Sequence, residues 1–169
     1  AREFGDRRGE SAVLGNLGLA YARLGQLHRA IEYYQQDLVI ARETGNRSGE
    51  GAALGNLGLA YDRAGRLDDA LEQFTTLVRL EPGSATAHYC LGAVLMKKNR
   101  PDLAVEPFEA AVRLEPAQIA GLGPSLEALM EMLRERKRKI LETYETHRVQ
   151  QEARRRFQEG AVQVRPPPR

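Results

Sequence analysis

Apolar residues along the chain recur at three- and four-residue steps. Leu14, Leu17, Ala20 and Tyr21 mark one such face, and the run from Tyr34 through Leu38, Ile40 and Ala41 marks another. This is the stripe of an amphipathic helix, not the strict alternation of a strand. The stripes themselves then repeat. AREFGDRRGESAVLGNLGLAYARLGQLHRAIEYY lies over ARETGNRSGEGAALGNLGLAYDRAGRLDDALEQF without a gap, with more than half of the aligned positions identical. A third copy, ATAHYCLGAVLMKKNRPDLAVEPFEAAVRLEP from Ala85, lies over GAALGNLGLAYDRAGRLDDALEQFTTLVRLEP from Gly51 at a shorter period of 34 residues. Units of this length cannot bury their apolar faces alone, so they predict an all-α solenoid of stacked helix pairs with a long concave surface.

The register is detailed. Leu17–Gly18, Leu57–Gly58 and Leu91–Gly92 align, as do Tyr21, Tyr61 and Leu95. Ala30, Ala70 and Ala104 follow, then Tyr34, Phe74 and Phe108, and Pro82 and Pro116 close the second and third units. Large apolar, Leu-Gly, aromatic, Ala, aromatic, Pro is a pattern that resembles the tetratricopeptide repeat. The resemblance covers residues 9–118 as units 9–48, 49–84 and 85–118. It implies a right-handed superhelical α-solenoid of antiparallel helix pairs. The 40-residue first period comes from a longer second helix and is similar to that of Pins-type adaptors and bacterial tetratricopeptide proteins.

Each recurring residue type has a physical reason. Gly18 and Ala30, with their equivalents, are small because the two helices of a pair cross closely there. Gly25 and Gly65 stand where a first helix must stop with positive φ, and Asn99 takes that place in the third unit. Ser84, after Pro82, reads as the N-cap of the third unit's first helix. Pro107 falls inside a second helix, where a bend or a missing backbone bond is expected.

Outside the three units the pattern changes. Residues 1–8 match Ala41–Ser48, so they read as the end of a truncated upstream repeat. Residues 119–124 lie in a Gly- and Pro-rich linker. From 125 to 159 the composition predicts a long charged helix that caps or extends the solenoid, with Leu126, Met130, Leu133, Ile140 and Tyr144 on one stripe. Residues 160–169, ending VRPPPR, read as a disordered tail.

Composition narrows the function classes. No run of 18 apolar residues occurs, so no spanning helix is expected. One cysteine, Cys90, precludes an internal disulfide and fits a reducing, cytoplasmic setting. From Ser125 onward eleven Arg or Lys face seven Asp or Glu, a surplus of about four positive charges, densest at Arg134–Lys139 and Arg154–Arg156. Helical Glu–Arg spacing and the lack of interleaved aromatics favour a solvated face over a nucleic-acid or membrane contact. His28, His88 and His147 have no metal-ligand spacing, and each GNLG lies inside a repeated helix rather than in a phosphate loop. No nucleophile constellation can be argued. Neither an enzyme, a cofactor nor a metal site is expected.

What remains is binding. In the family this chain resembles, the first helix of each pair lines the concave groove. Asn16 and Asn56 recur on that helix, with Cys90 in their place in the third unit, and Arg23, Arg63 and Lys97 recur seven residues on. Amides suit an extended peptide backbone, and a row of cations suits carboxylates. The five residues predict a groove for an extended or helical, acidic protein segment. The competing reading is that the amides tie repeats together and the basic residues are solvated helix ends. A homo-oligomer through the first repeat or the C-terminal helix is the alternative assembly. Chaperone-tail-binding relatives grip a terminal carboxylate at positions that correspond here to Gly15, Leu19, Asn56, Thr86 and Cys90. Only Asn56 fits, so chaperone C-terminal tails are not the expected ligand.

Overall fold

Helices alone make up the regular structure of the described residues, 2–115 and 125–162, in the computed structural model. Six helices form three consecutive pairs: α1 (Arg2–Arg23) with α2 (Leu27–Glu43), α3 (Arg47–Arg63) with α4 (Leu67–Leu80), and α5 (Ala85–Lys97) with α6 (Pro101–Leu114). Each helix packs on the next, and α7 (Ser125–Val162) lies against α6. The architecture is an all-α repeat solenoid. The 119–124 linker lies outside the described residues.

One turn design closes four of the helices. Gly25, Gly45, Gly65 and Asn99 all have positive φ, between 55° and 75°. After each, the next amide reaches back five residues: Gln26 to the Tyr21 carbonyl at 2.9 Å, Asn46 to Ala41 at 2.8 Å, Arg66 to Tyr61 at 2.9 Å and Arg100 to Leu95 at 2.9 Å. This is the Schellman arrangement, which satisfies the last carbonyls and turns the chain sharply enough to make the next helix antiparallel. Asn99 manages it with a side chain because asparagine tolerates the left-handed region. The α4–α5 junction uses Pro82, Gly83 and Ser84 instead, and Ser84 Oγ accepts from the Ala87 amide at 3.3 Å as an N-cap.

Small residues let the paired helices touch. A Cβ on Gly18 would lie 2.5 Å from the Tyr34 ring, one on Gly58 2.6 Å from Phe74, and one on Gly92 2.9 Å from Phe108. The aromatic of each second helix therefore packs directly against a glycine of the first. Ala30, Ala70 and Ala104 are fully buried at the matching positions. The core runs as two clusters, one around Leu54, Leu57 and Phe74 and one around Val105 and Phe108, joined through Leu71 and Leu91.

Two stretches, at the ends of the chain, differ from expectation, and one between them agrees with it. α1 runs unbroken from Arg2, so Gly5, the counterpart of Gly45, lies within the helix. The Gly45 turn, by contrast, is fastened to carbonyls of the last turn of α2. As expected from the sequence, α6 continues through Pro107, whose missing N–H leaves the Leu103 carbonyl without its usual helical donor. At the other end, α7 runs to Val162, through Gly160, with residues 163–169 outside the described set. One glycine in a last turn costs about 1 kcal/mol relative to alanine, too little to stop a helix.

Candidate partner-binding groove

Asn16 and Asn56 stand at equivalent points of α1 and α3, and both line one cavity of about 430 Å³ between those helices. Ser11, Gly15 and Asp37 line it too, with Arg8 the other charged residue in its walls. Asp37 comes from α2, behind α1, and is only 7% exposed. The Ser11 hydroxyl donates to its Oδ1. Its Oδ2 lies against Gly15, where an added Cβ would sit 3.0 Å away. Burial pushes the Asp37 carboxyl above its ordinary value, and the Ser11 bond offsets part of that rise.

The basic residues are the last residues of their helices. Arg63 Nη1 donates to the Ala22 carbonyl at 3.2 Å. Lys97 Nζ pairs with Asp62 at 2.6 and 2.8 Å. Ala22 and Asp62 are themselves equivalent, so each of these cations clasps the preceding unit at the same point. Arg23 makes no hydrogen bond or ion pair among the described residues. It and Arg63 share a neighbourhood, because burial raises the Tyr34 hydroxyl's pKa and the two guanidiniums, Arg63 first, pull it back. None of the three basic residues lines the amide cavity. Cys90, the third-unit counterpart of the asparagines, is half-buried, and burial together with Asp62 raises its thiol pKa. It is held as a neutral thiol.

Sequence reading missed Ser11, Asp37 and Asp62. A signal for the first two was present: at a shift of 40 residues Asp37 stands over Leu77 and Ser11 over Gly51, a polar pair in a column that is otherwise apolar or small. Elsewhere, a cavity of about 580 Å³ between α1 and α2 is walled by exposed polar side chains such as Glu32 and Gln36. Another lies along α7 beside Ile140 and Tyr144. The basic runs of α7 are laced by helical ion pairs, Arg138 with Glu135 at 2.8 Å and Arg148 with Glu152 at 3.8 Å among them. No group of metal-ligating side chains occurs among the described residues, and no helix among them is long and apolar enough to cross a membrane.

Comparison with known proteins agrees with this geometry. Two profiles described as tetratricopeptide repeat match, one over residues 5–80 and one over 56–119. No curated protein sequence matches. Among similar solved structures is a chain of the Cut9–Hcn1 hetero-tetramer of the APC/C, at TM-score 0.63 and 20% identity, with 73% of this chain matched but only 23% of that one. The tetratricopeptide domain of OM64 from Arabidopsis matches at TM-score 0.62 and 17% identity, over 77% of this chain and 98% of that one. The first such domain of Spaghetti (RPAP3), bound to the HSP90 peptide SRMEEVD, matches at TM-score 0.62 and 18% identity, over 75% and 92%. At these identities the likeness is one of fold. The repeat profiles, which together run from residue 5 to residue 119, place the chain in the tetratricopeptide-repeat family.

Proposed function

We propose that this protein is an interaction scaffold that holds an extended, acidic segment of a partner protein along α1, α3 and α5. The observation that carries the reading is the shared cavity of Asn16 and Asn56. Two amides at the same height on successive helices, spaced by the solenoid itself, can each donate to and accept from a peptide backbone. Arg23, with Arg63 and Lys97 on the following units, supplies the charge that selects carboxylates. The peptide-bound Spaghetti domain shows that a relative of this fold takes a peptide. Only Asn56 of this chain occupies a matching clamp position, so its ligand is a different one. No catalytic step is proposed, and the single half-buried thiol suits a reducing, cytoplasmic setting.

The reading is tested with peptides selected on the intact protein from a random twelve-residue display library. Selected peptides should be acidic, and Arg23→Glu should weaken them more than Arg155→Glu. Equal effects from both variants would contradict it.

Self-association is the second reading, favoured by the far half of α7. Tyr144 is 77% exposed and Phe157 80%, with Ile140 and Leu141 also exposed. A second copy could cover Ile140 and Tyr144, which lie four residues apart on one face. Sedimentation of the wild type and of Ile140→Glu/Tyr144→Glu decides it: an oligomer that dissociates in the variant supports this reading, and a monomeric wild type removes it.

A further inference from the structure

Asp37 departs from the repeat in a way that stability does not explain. Its counterpart Leu77 packs in the core at 7% exposure, and the third unit has Ala111, fully buried. Ser11 likewise replaces Gly51 and Ala85. The fold thus has a working apolar solution at this position, and the first unit substitutes a carboxylate. Buried carboxylates are ordinarily paired with a cation, because leaving water uncompensated is unfavourable. Among the described residues its hydrogen bond comes from a neutral hydroxyl, and no basic side chain acts on the group. Arg8 shares the cavity wall but is exposed and makes no ion pair with Asp37. Among the described residues Oδ2 accepts no hydrogen bond; it is not sealed from solvent, and it lies on the side of Gly15, which lines the cavity.

We propose that the cavity between α1 and α3 is a subsite for an arginine side chain of the bound segment, whose guanidinium is received by Asp37 Oδ2 and by the side-chain oxygens of Asn16 and Asn56. The assignment rests on the groove being the partner-binding surface. Arginine fits better than lysine for two reasons. Its planar fork carries five donors that several fixed acceptors can share, and it gives up water more readily than an ammonium group. The carboxylate also gives the groove a direction. An anionic subsite at Asp37 and a cationic one at Arg23 lie at different levels of the same helix pair, so an acidic segment carrying one arginine would bind in a single orientation and register.

The test uses the full chain, nitrogen-15 labelled, titrated with four probes: the N-acetyl methylamides of arginine, lysine, glutamine and glutamate. The arginine probe should shift the amide signals of Gly15, Asn16 and Asn56. Asp37→Asn, which keeps an oxygen for Ser11 to donate to, should weaken that binding roughly tenfold or more, the expected loss for a charge-assisted hydrogen bond. A thermal melt of the variant verifies that it is folded. Asp37→Glu provides a second variant, which keeps the charge and should retain a preference for arginine over glutamine. The subsite is overturned if the arginine probe shifts signals elsewhere, binds Asp37→Asn as well as wild type, or is matched by the lysine or glutamine probe. Library-selected acidic peptides that still shift α1 and α3 in such a case would leave the groove reading standing and remove the subsite alone.

Discussion

Single residues explain where this fold is tight. Gly58 lies under the ring of Phe74, itself 2% exposed and unable to retreat. Gly58→Ala should therefore destabilise the protein by about 1–3 kcal/mol, the range for overpacking a filled core. Gly9 is also helical, but a Cβ there would meet nothing within 4 Å. Gly9→Ala should stabilise by about 0.5–1 kcal/mol. Urea denaturation of the two variants checks that one substitution acts with opposite signs. Asp37 yields a pH prediction. Its folded pKa is raised, so the native state holds that proton more tightly than the unfolded chain does. The wild type accordingly loses stability as pH rises from the unfolded value, 3.8, through the higher folded one, and nothing further from this group above it. Ser11→Ala with Asp37→Leu rebuilds the apolar solution of the other units. It should be more stable at neutral pH by about 1–3 kcal/mol, with a smaller gain near pH 4. Denaturation at the two pH values reads it, and a gain that grew on acidification would refute the assignment. Gly25, Gly65, Asn99 and Ser84 were legible in the sequence because a turn or cap is decided by a few neighbouring residues. Asp37 was not, because an aspartate on an amphipathic helix means something different once that face turns inward.

Helices here owe their ends to local chemistry and their partners to the repeat. The Schellman turns cut the chain cleanly at Gly25, Gly45, Gly65 and Asn99, which is why three units could be read from the sequence. The continuous α1 was not foreseen, since a sequence match to Ala41–Ser48 carries the turn residues but does not decide whether the chain turns there. Pro107 lies well inside α6, so the argument against it stands. Pro107→Gln, taking the residue that the second unit has at Gln73, should stabilise the protein by up to about 3 kcal/mol, measured by chemical denaturation. No change would mean that the helix had already relaxed around the ring. The Lys97–Asp62 clasp should matter little to stability. Its lysine is half-exposed, and Lys97→Ala should cost less than about 1 kcal/mol.

At the scale of the whole molecule, stacking does two jobs. It buries faces that no single pair could bury, and it sets successive first helices side by side, which brings Asn16 and Asn56 to one cavity from residues 40 apart in sequence. The amide positions could be anticipated because the register alone aligns them. The fate of the basic residues could not: Arg63 and Lys97 reach back to the preceding unit, a contact set by how far one pair is rotated on the next. Arg23, without such a contact, is the cation best placed to meet a ligand. The most direct measurement of the groove reading is a nitrogen-15 chemical-shift map of the intact protein with an acidic peptide selected from the twelve-residue library, recorded at low and at high salt. The predicted result is a set of shifts concentrated at Gly15, Asn16, Arg23, Ala52 and Asn56, with affinity that falls as salt is added. Shifts confined to the outer faces of α2 and α4 or to α7, or binding indifferent to salt, would contradict it.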